Sequence, residues 1–128
     1  MSRIKICGLR RPEDIAAVNE ARPDYCGFIV EYPKSRRSID RTTLRELVRG
    51  LREKIVPVGV FVNAPKELVA ELLEEGTIQI AQLHGQESQE YIQELKVLTE
   101  KPLIQAFSIK SKEDVERARE SVADYILL

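Results

Sequence analysis

Short apolar runs alternate with amphipathic stretches of helical period along the whole chain. Residues 3–7 read as a first strand, and a helix opens after them at Arg11-Pro12-Glu13-Asp14. Proline suits a first helical turn because its missing N–H costs nothing there, and the two acids favour the positive helix end. Ile15, Val18 and Ala21 mark the stripe this helix is expected to bury. Residues 25–31 form a second strand, and a loop rich in Lys, Arg and Ser leads to a helix starting near Asp40. Leu44, Leu47, Val48 and Leu51 then recur at i, i+3, i+4 and i+7, a helical period. A third strand, 58–62, precedes a helix with Pro65 in its first turn. Its apolar face carries Leu68, Val69, Leu72 and Leu73, and Gly76 supplies the stop. Residues 78–83 are the fourth strand, and a helix from about Ser88 is expected to bury Tyr91, Ile92, Leu95 and Leu98. Residues 103–107 are the fifth. Ser111 with Asp114 three residues on forms a capping box with Asp in the usual Glu position, and Val115, Ala118 and Val122 follow. Residues 125–128 begin a sixth strand.

This βα alternation, without a linker or low-complexity segment, implies parallel strands joined by right-handed crossovers. An open doubly wound sheet and a (β/α)8 TIM barrel both satisfy it. The doubly wound form favours a glycine-rich nucleotide fingerprint after the first strand, and Cys7-Gly8-Leu9-Arg10 is not G-x-G-x-x-G. Barrels place polar groups at the C-terminal ends of their strands, where Cys7, Asn63 and His84 stand, so the barrel is favoured. Such barrels need about 200 residues or more. The expectation is therefore α/β, with residues 1–128 a single, incomplete (β/α)8 domain of about six strands and five helices.

Composition adds exclusions. A net charge of -1 with interspersed signs offers no basic footprint for nucleic acid. No apolar run approaches a bilayer span, and no apolar h-region opens the chain. Two cysteines without a secretory signal point to reduced thiols and a cytoplasmic protein.

Period-2 geometry puts Lys5 and Cys7 on one face of the first strand. A lysine beside a thiol favours the thiolate, the form that acts as base or nucleophile. A buried small hydrophobe is the plainer role for a free cysteine, and Cys26, at the start of its strand, is assigned to it. His84, the one histidine, ends a strand in Gln82-Leu83-His84-Gly85 and is either structural or part of the same edge. One His and two distant Cys do not make a metal site. Lys34-Ser35-Arg36-Arg37-Ser38 is either a solvated loop or the source of an arginine that clamps a carboxylate or phosphate. Asn63 is assigned more readily to a helix N-cap than to the active edge.

In this order Lys5-Ile6-Cys7-Gly8-Leu9, Gly27-Phe28 with Ser35-Arg36-Arg37, Val58-Gly59-Val60-Phe61-Val62-Asn63, Gln82-Leu83-His84-Gly85 and Tyr125-Ile126-Leu127-Leu128 resemble the phosphoribosylanthranilate isomerases of tryptophan biosynthesis. The resemblance spans the chain. It implies an Amadori rearrangement of N-(5-phosphoribosyl)anthranilate, Cys7 as general base, and Arg37 on the anthranilate end of the substrate. His84 would line the pocket, with Lys5, Arg36, Asn63 and Gln82 as further candidates. It implies a phosphosugar substrate, no cofactor or metal, and a monomer or homodimer. This chain has Arg36 where the family usually has Pro, which leaves open which arginine faces inward. The family's general-acid aspartate is expected immediately after Leu128, and its glycine-rich phosphate loops farther on, so the 128-residue chain alone is expected to be inactive. Two alternatives stand beside this reading. An indole-glycerol-phosphate synthase type of barrel would need Lys and Glu at strand ends, whereas Lys5 is mid-strand and Lys110 lies beyond the fifth. The other is a non-catalytic partial barrel.

Overall fold

A computed structural model describes residues 2–128. Its elements in chain order are β1 (Lys5–Cys7), α1 (Pro12–Ala21), β2 (Tyr25–Val30), β3 (Ser38–Ile39), α2 (Arg41–Arg49), β4 (Val56–Phe61), α3 (Lys66–Glu74), β5 (Ile80–Leu83), α4 (Gln89–Leu98), β6 (Leu103–Ala106), α5 (Lys112–Arg119) and β7 (Tyr125–Leu127). The sheet runs β1-β2-β4-β5-β6-β7, all parallel, with the two-residue β3 attached to β2. A doubly wound sheet reverses its strand order at a switch point. Here every new strand is added on the same side of the last, which is the winding of a barrel, and the result is a half-barrel of six main strands with five helices.

The helix starts follow from local chemistry. Asp40 accepts from Thr43 N at 2.8 Å, and Ser88 from Tyr91 N at 3.0 Å, each satisfying an orphan donor of the first turn. The Ser111–Asp114 capping box forms as the spacing predicts. Gly76 takes φ +84 just past α3, the left-handed stop that a side chain would resist. Between sheet and helices lies the core: Phe28, Phe61, Leu83 and Leu103 from the strands meet Leu44, Val69, Leu72, Leu73, Ile92 and Leu95 from the helices. Val58 and Val60 are buried too, but alternation turns them to the opposite, concave face. Among the described residues no helix is long and apolar enough to cross a membrane.

Several expected boundaries move. β1 starts at Lys5 rather than residue 3, β4 spans Val56–Phe61 rather than 58–62, and β5 begins at Ile80 rather than residue 78. Helix α2 stops at Arg49 against Gly50, leaving Leu51 outside it. Ala21, Leu98 and Val115, expected to be buried, are exposed. Each has the right period, but no described element covers it. Asn63 does not cap α3; Pro65 holds that position.

Candidate active site

β1 is held to β2 by the pairing Cys7↔Gly27, and the backbone N–H groups of Gly8 and Leu9 both donate to Gly27 O, at 2.9 and 3.2 Å. The strand therefore ends with Cys7 exposed at the C-terminal edge of the sheet. Lys5 and Cys7 share the concave face, as alternation requires. Both lie over Gly27, where a Cβ would stand 2.6 Å from Cys7 Sγ and 3.2 Å from Lys5 Cε. Cys26, paired with Ile6, faces the core and is fully buried. Burial, followed by the charge of Cys7, pushes its thiol up to about 12. The two thiols are thus on opposite faces of neighbouring strands, and both are free.

β3 explains where the arginine loop goes. Ser38 and Ile39 pair with Ile29 and Val30, on the edge of β2 that lies beyond the end of β1. Tyr32 N donates to Ser38 Oγ at 2.7 Å and Glu31 N to Ile39 O at 2.8 Å, closing the loop at its base. Glu31, at φ +48, accepts from Arg41 Nε at 2.7 Å and Nη2 at 3.2 Å. The loop therefore delivers Arg37 onto Gly8. At φ +87 that glycine has no side chain to offer, and a Cβ would stand 2.7 Å from Arg37 Cδ and 2.9 Å from Nη1. Arg36 contributes its backbone carbonyl, which accepts from Arg10 Nη1 at 3.1 Å. Of the two arginines, Arg37 is the one beside the thiol-bearing strand.

Cys7, Gly8 and Arg37 line a cleft of about 390 Å³, with Asp14 and Ala17 of α1 on its far wall. Asp14 is fully engaged. Its carboxylate accepts from the backbone of Arg10 at 3.0 Å and Arg11 at 3.1 Å, and the Arg10 hydrogen bond foremost holds it below the usual carboxylate range. His84, just past β5, lines a separate cleft of about 510 Å³ with Phe107, Ser108 and Leu128. The three principal candidates therefore share the sheet's C-terminal edge but not one cavity. A side-chain bridge on the concave face reaches His84 from β1 but includes neither Cys7 nor Arg37. Lys5 Nζ donates to Gln82 Oε1, and Gln82 Nε2 lies 3.3 Å from His84 Nδ1. The Lys5 ammonium is thus directed at Gln82, where the sequence suggested a direct partnership with Cys7.

Asn63 belongs to a loop clamp that sequence reasoning missed. The buried Glu87 accepts from Asn63 N at 2.7 Å and Gly85 N at 2.9 Å, while Asn63 Oδ1 accepts from Gln86 N at 2.8 Å. Asn63 adopts φ +50 to do this, and a Cβ on Gly85 would sit 2.7 Å from its Oδ1. The clamp locks the turn that follows His84. An acid three residues after a strand-ending histidine was its one sequence signal. Among the described residues no cluster of His, Cys, Asp and Glu could hold a metal ion.

Sequentially wound parallel strands with polar groups gathered at their C-terminal ends define a β/α-barrel, the class of fold whose active sites sit at that edge. The chain belongs to the family described as N-(5'phosphoribosyl)anthranilate (PRA) isomerase, which it matches over residues 4–128. The N-(5'-phosphoribosyl)anthranilate isomerase of Acetivibrio thermocellus is 42% identical over 134 residues, covering 100% of this chain and 61% of the relative. The crystal structure of phosphoribosyl anthranilate isomerase from Thermus thermophilus superposes with a TM-score of 0.79 at 36% identity, over 98% of this chain and 60% of that one. A phosphoribosyl anthranilate isomerase crystallised with reduced 1-(O-carboxyphenylamino)-1-deoxyribulose 5-phosphate superposes at 0.80 with 34% identity, over 92% of this chain and 59% of that one. The chain thus spans about three-fifths of the length of the relatives it matches.

Proposed function

We propose that this chain forms the base-bearing part of an isomerase that converts N-(5-phosphoribosyl)anthranilate into 1-(2-carboxyphenylamino)-1-deoxyribulose 5-phosphate, a step of L-tryptophan biosynthesis. Residues 1–128 act as one incomplete barrel domain. The observation that carries this reading is Cys7, delivered by β1 to the active edge one residue from the glycine on which Arg37 lies. Family membership supports it.

The chemistry opens the sugar ring and moves protons, with no external oxidant or reductant. The sugar's ring oxygen takes a proton as its bond to C1 breaks, giving an open-chain protonated Schiff base. The Cys7 thiolate then removes the proton from C2, the C–H electron pair forms a C1=C2 bond, and the Schiff-base nitrogen recovers its lone pair. Ketonisation adds a proton at C1 as the C2 hydroxyl gives up its own, which leaves the carbonyl at C2. Arg37 offers a planar fork of donors suited to the anthranilate carboxylate. His84 lines the other end of the substrate, Lys5 and Gln82 support it, and Arg36 and Asn63 shape loops without touching substrate. A base and an acid are both required, and Asp14, the carboxylate in the Cys7 cleft, is already occupied as a helix cap. In this reading the 128-residue chain alone does not turn over. The protein works in the cytoplasm with its thiols reduced, as a monomer or homodimer.

A chimera tests the assignment: this chain joined after Leu128 to the remaining C-terminal portion of the Acetivibrio thermocellus relative. Isomerase turnover is expected from the chimera and not from the chain alone. Cys7→Ser in the chimera is expected to lower turnover by about 10²–10⁴-fold, the usual contribution of a general base. Near-normal turnover of Cys7→Ser would remove Cys7 from the role.

A further inference from the structure

We infer that Gln82 is a positioning residue that sets the tautomer of His84, so that the imidazole presents a protonated Nε2 to the cleft. The inference draws on the isomerase reading only for what that N–H is aimed at. The tautomer itself follows from donor and acceptor inventory.

Lys5 Nζ is an ammonium with three donors and no acceptor. It reaches from β1 across β2 and β4 to Gln82 on β5, a path open because Gly27 has no Cβ to obstruct the lysine stem. Gln82 is buried, at 4% exposure, between the half-buried Lys5 and the exposed His84, so its amide relies on these two partners for its hydrogen bonds. Its amide can meet an ammonium only with its oxygen, because the flipped amide would set N–H against N–H. That choice leaves the amide NH2, which has donors only, facing His84 Nδ1 at 3.3 Å. Nδ1 must then accept, and the ring proton of the neutral imidazole resides on Nε2. Behind the ring, the Glu87–Asn63 clamp fixes the turn at Gly85, and His84 N donates to Phe61 O at 2.8 Å. The backbone on both sides of the ring is therefore fixed and Nδ1 is committed to Gln82, which leaves Nε2 free to donate to a substrate oxygen where His84 lines the 510 Å³ cleft.

The chain carries a single histidine, so 15N labelling of histidine gives one pair of ring signals and no assignment problem. At a pH where the ring is neutral, the wild-type chain is expected to show a pyridine-type Nδ1 and a pyrrole-type Nε2, without averaging. Gln82→Glu replaces the donor by an acceptor that Lys5 still binds. It is expected to move a proton onto Nδ1 and reverse or collapse that pattern. Lys5→Met frees the amide to flip and is expected to bring the two shifts towards each other. Averaged ring shifts in the wild-type chain, from whatever motion, would overturn the inference without any variant. So would a Gln82→Glu chain whose ring signals match the wild type. Neither outcome depends on turnover, so failure here is distinct from failure of the isomerase assignment.

Discussion

Replacing Gly27 by Ala sets a methyl group directly against the candidate base. The added Cβ would stand 2.6 Å from Cys7 Sγ, 3.3 Å from Cys7 Cβ and 3.2 Å from Lys5 Cε. Comfortable contact begins at about 3.5 Å, so the sulfur must retreat by roughly 1 Å. Cys7 ends its strand and is exposed, so it has room to turn. The overpacking penalty should therefore fall near the lower end of about 1–3 kcal/mol. Alanine's advantage over glycine in a strand, about 0.5–1 kcal/mol, offsets most of that. The expected net loss of stability is about 1 kcal/mol or less. Catalysis is less forgiving, because a 1 Å misplacement of a reacting group can lower turnover by about 10²-fold. Gly59→Ala is the control. Its Cβ would meet Ile78 Cδ1 and Phe61 Cε2, each at 2.8 Å, and both side chains are fully buried with nowhere to go. That variant starts close to the upper figure, about 3 kcal/mol, should lose about 2–2.5 kcal/mol after the same alanine offset, and should leave the cleft intact. Urea midpoints of the chain and turnover of the chimera measure the two effects separately. A Gly27→Ala protein as destabilised as Gly59→Ala, yet with wild-type turnover, would refute the reasoning.

Iodoacetamide should label the native chain once, at Cys7, with Cys26 modified only after unfolding; two labels in native buffer, read by mass spectrometry, would contradict the burial of Cys26. Because the Cys26 thiol is raised to about 12 in the folded state, it keeps its proton while the unfolded thiol loses its own above about pH 8.5. Its contribution is therefore fully present below that pH. Stability should fall above it by up to about 1.4 kcal/mol per pH unit, and in urea titrations Cys26→Ala should remove that slope below about pH 10, where the half-buried Tyr91 phenol begins to contribute its own. Glu87→Ala removes the acceptor of two hydrogen bonds, from the N–H groups of exposed Asn63 and half-buried Gly85, and at about 0.5–1.5 kcal/mol each should destabilise the chain by about 1–3 kcal/mol, whereas a midpoint shift near zero would mean the clamp is ornamental. Glu31 is held below the usual carboxylate range chiefly by the Arg41 hydrogen bond, so its contribution is present above about pH 4.3 and lost as pH falls through the folded value. Arg41→Ala should flatten that acid limb of the stability profile, and an unchanged limb would count against the pair.

Much of the fold was legible because helix–strand alternation and period are local properties. Leu44 and Leu47, or Leu72 and Leu73, announce their face without reference to any neighbour, and the caps at Asp40, Ser88 and Ser111 are formed within four residues. Burial of an apolar stripe is a different matter, since it depends on whether another element packs there. Ala21, Leu98 and Val115 satisfy the helical period and are nevertheless exposed. β3 escaped notice because two residues carry no periodicity; Ser38 and Ile39 are a strand only through their pairing with Ile29 and Val30. Asn63 looked like a cap from its place before a helix, but its side-chain oxygen accepts from Gln86 N, 23 residues away, instead of from the first turn of α3.

The site divides along the same line. That Cys7 stands at a strand end is a one-strand fact, and so is its sharing a face with Lys5. Where the Lys5 ammonium goes is set by three further strands: by the absence of a side chain at Gly27, by the curvature carried through β4, and by an acceptor on β5. A lysine beside a thiol invites the reading that it activates the thiol. The structure sends the charge to Gln82, and the amide forwards its orienting effect to His84. Cys7 and the His84 imidazole line separate clefts, and what they share is Gly27, whose missing side chain leaves room for both Cys7 Sγ and Lys5 Cε. A substitution in either cleft that leaves Lys5, Gly27 and Gln82 untouched should leave the other cleft's geometry unchanged, while one at Gly27 should disturb both.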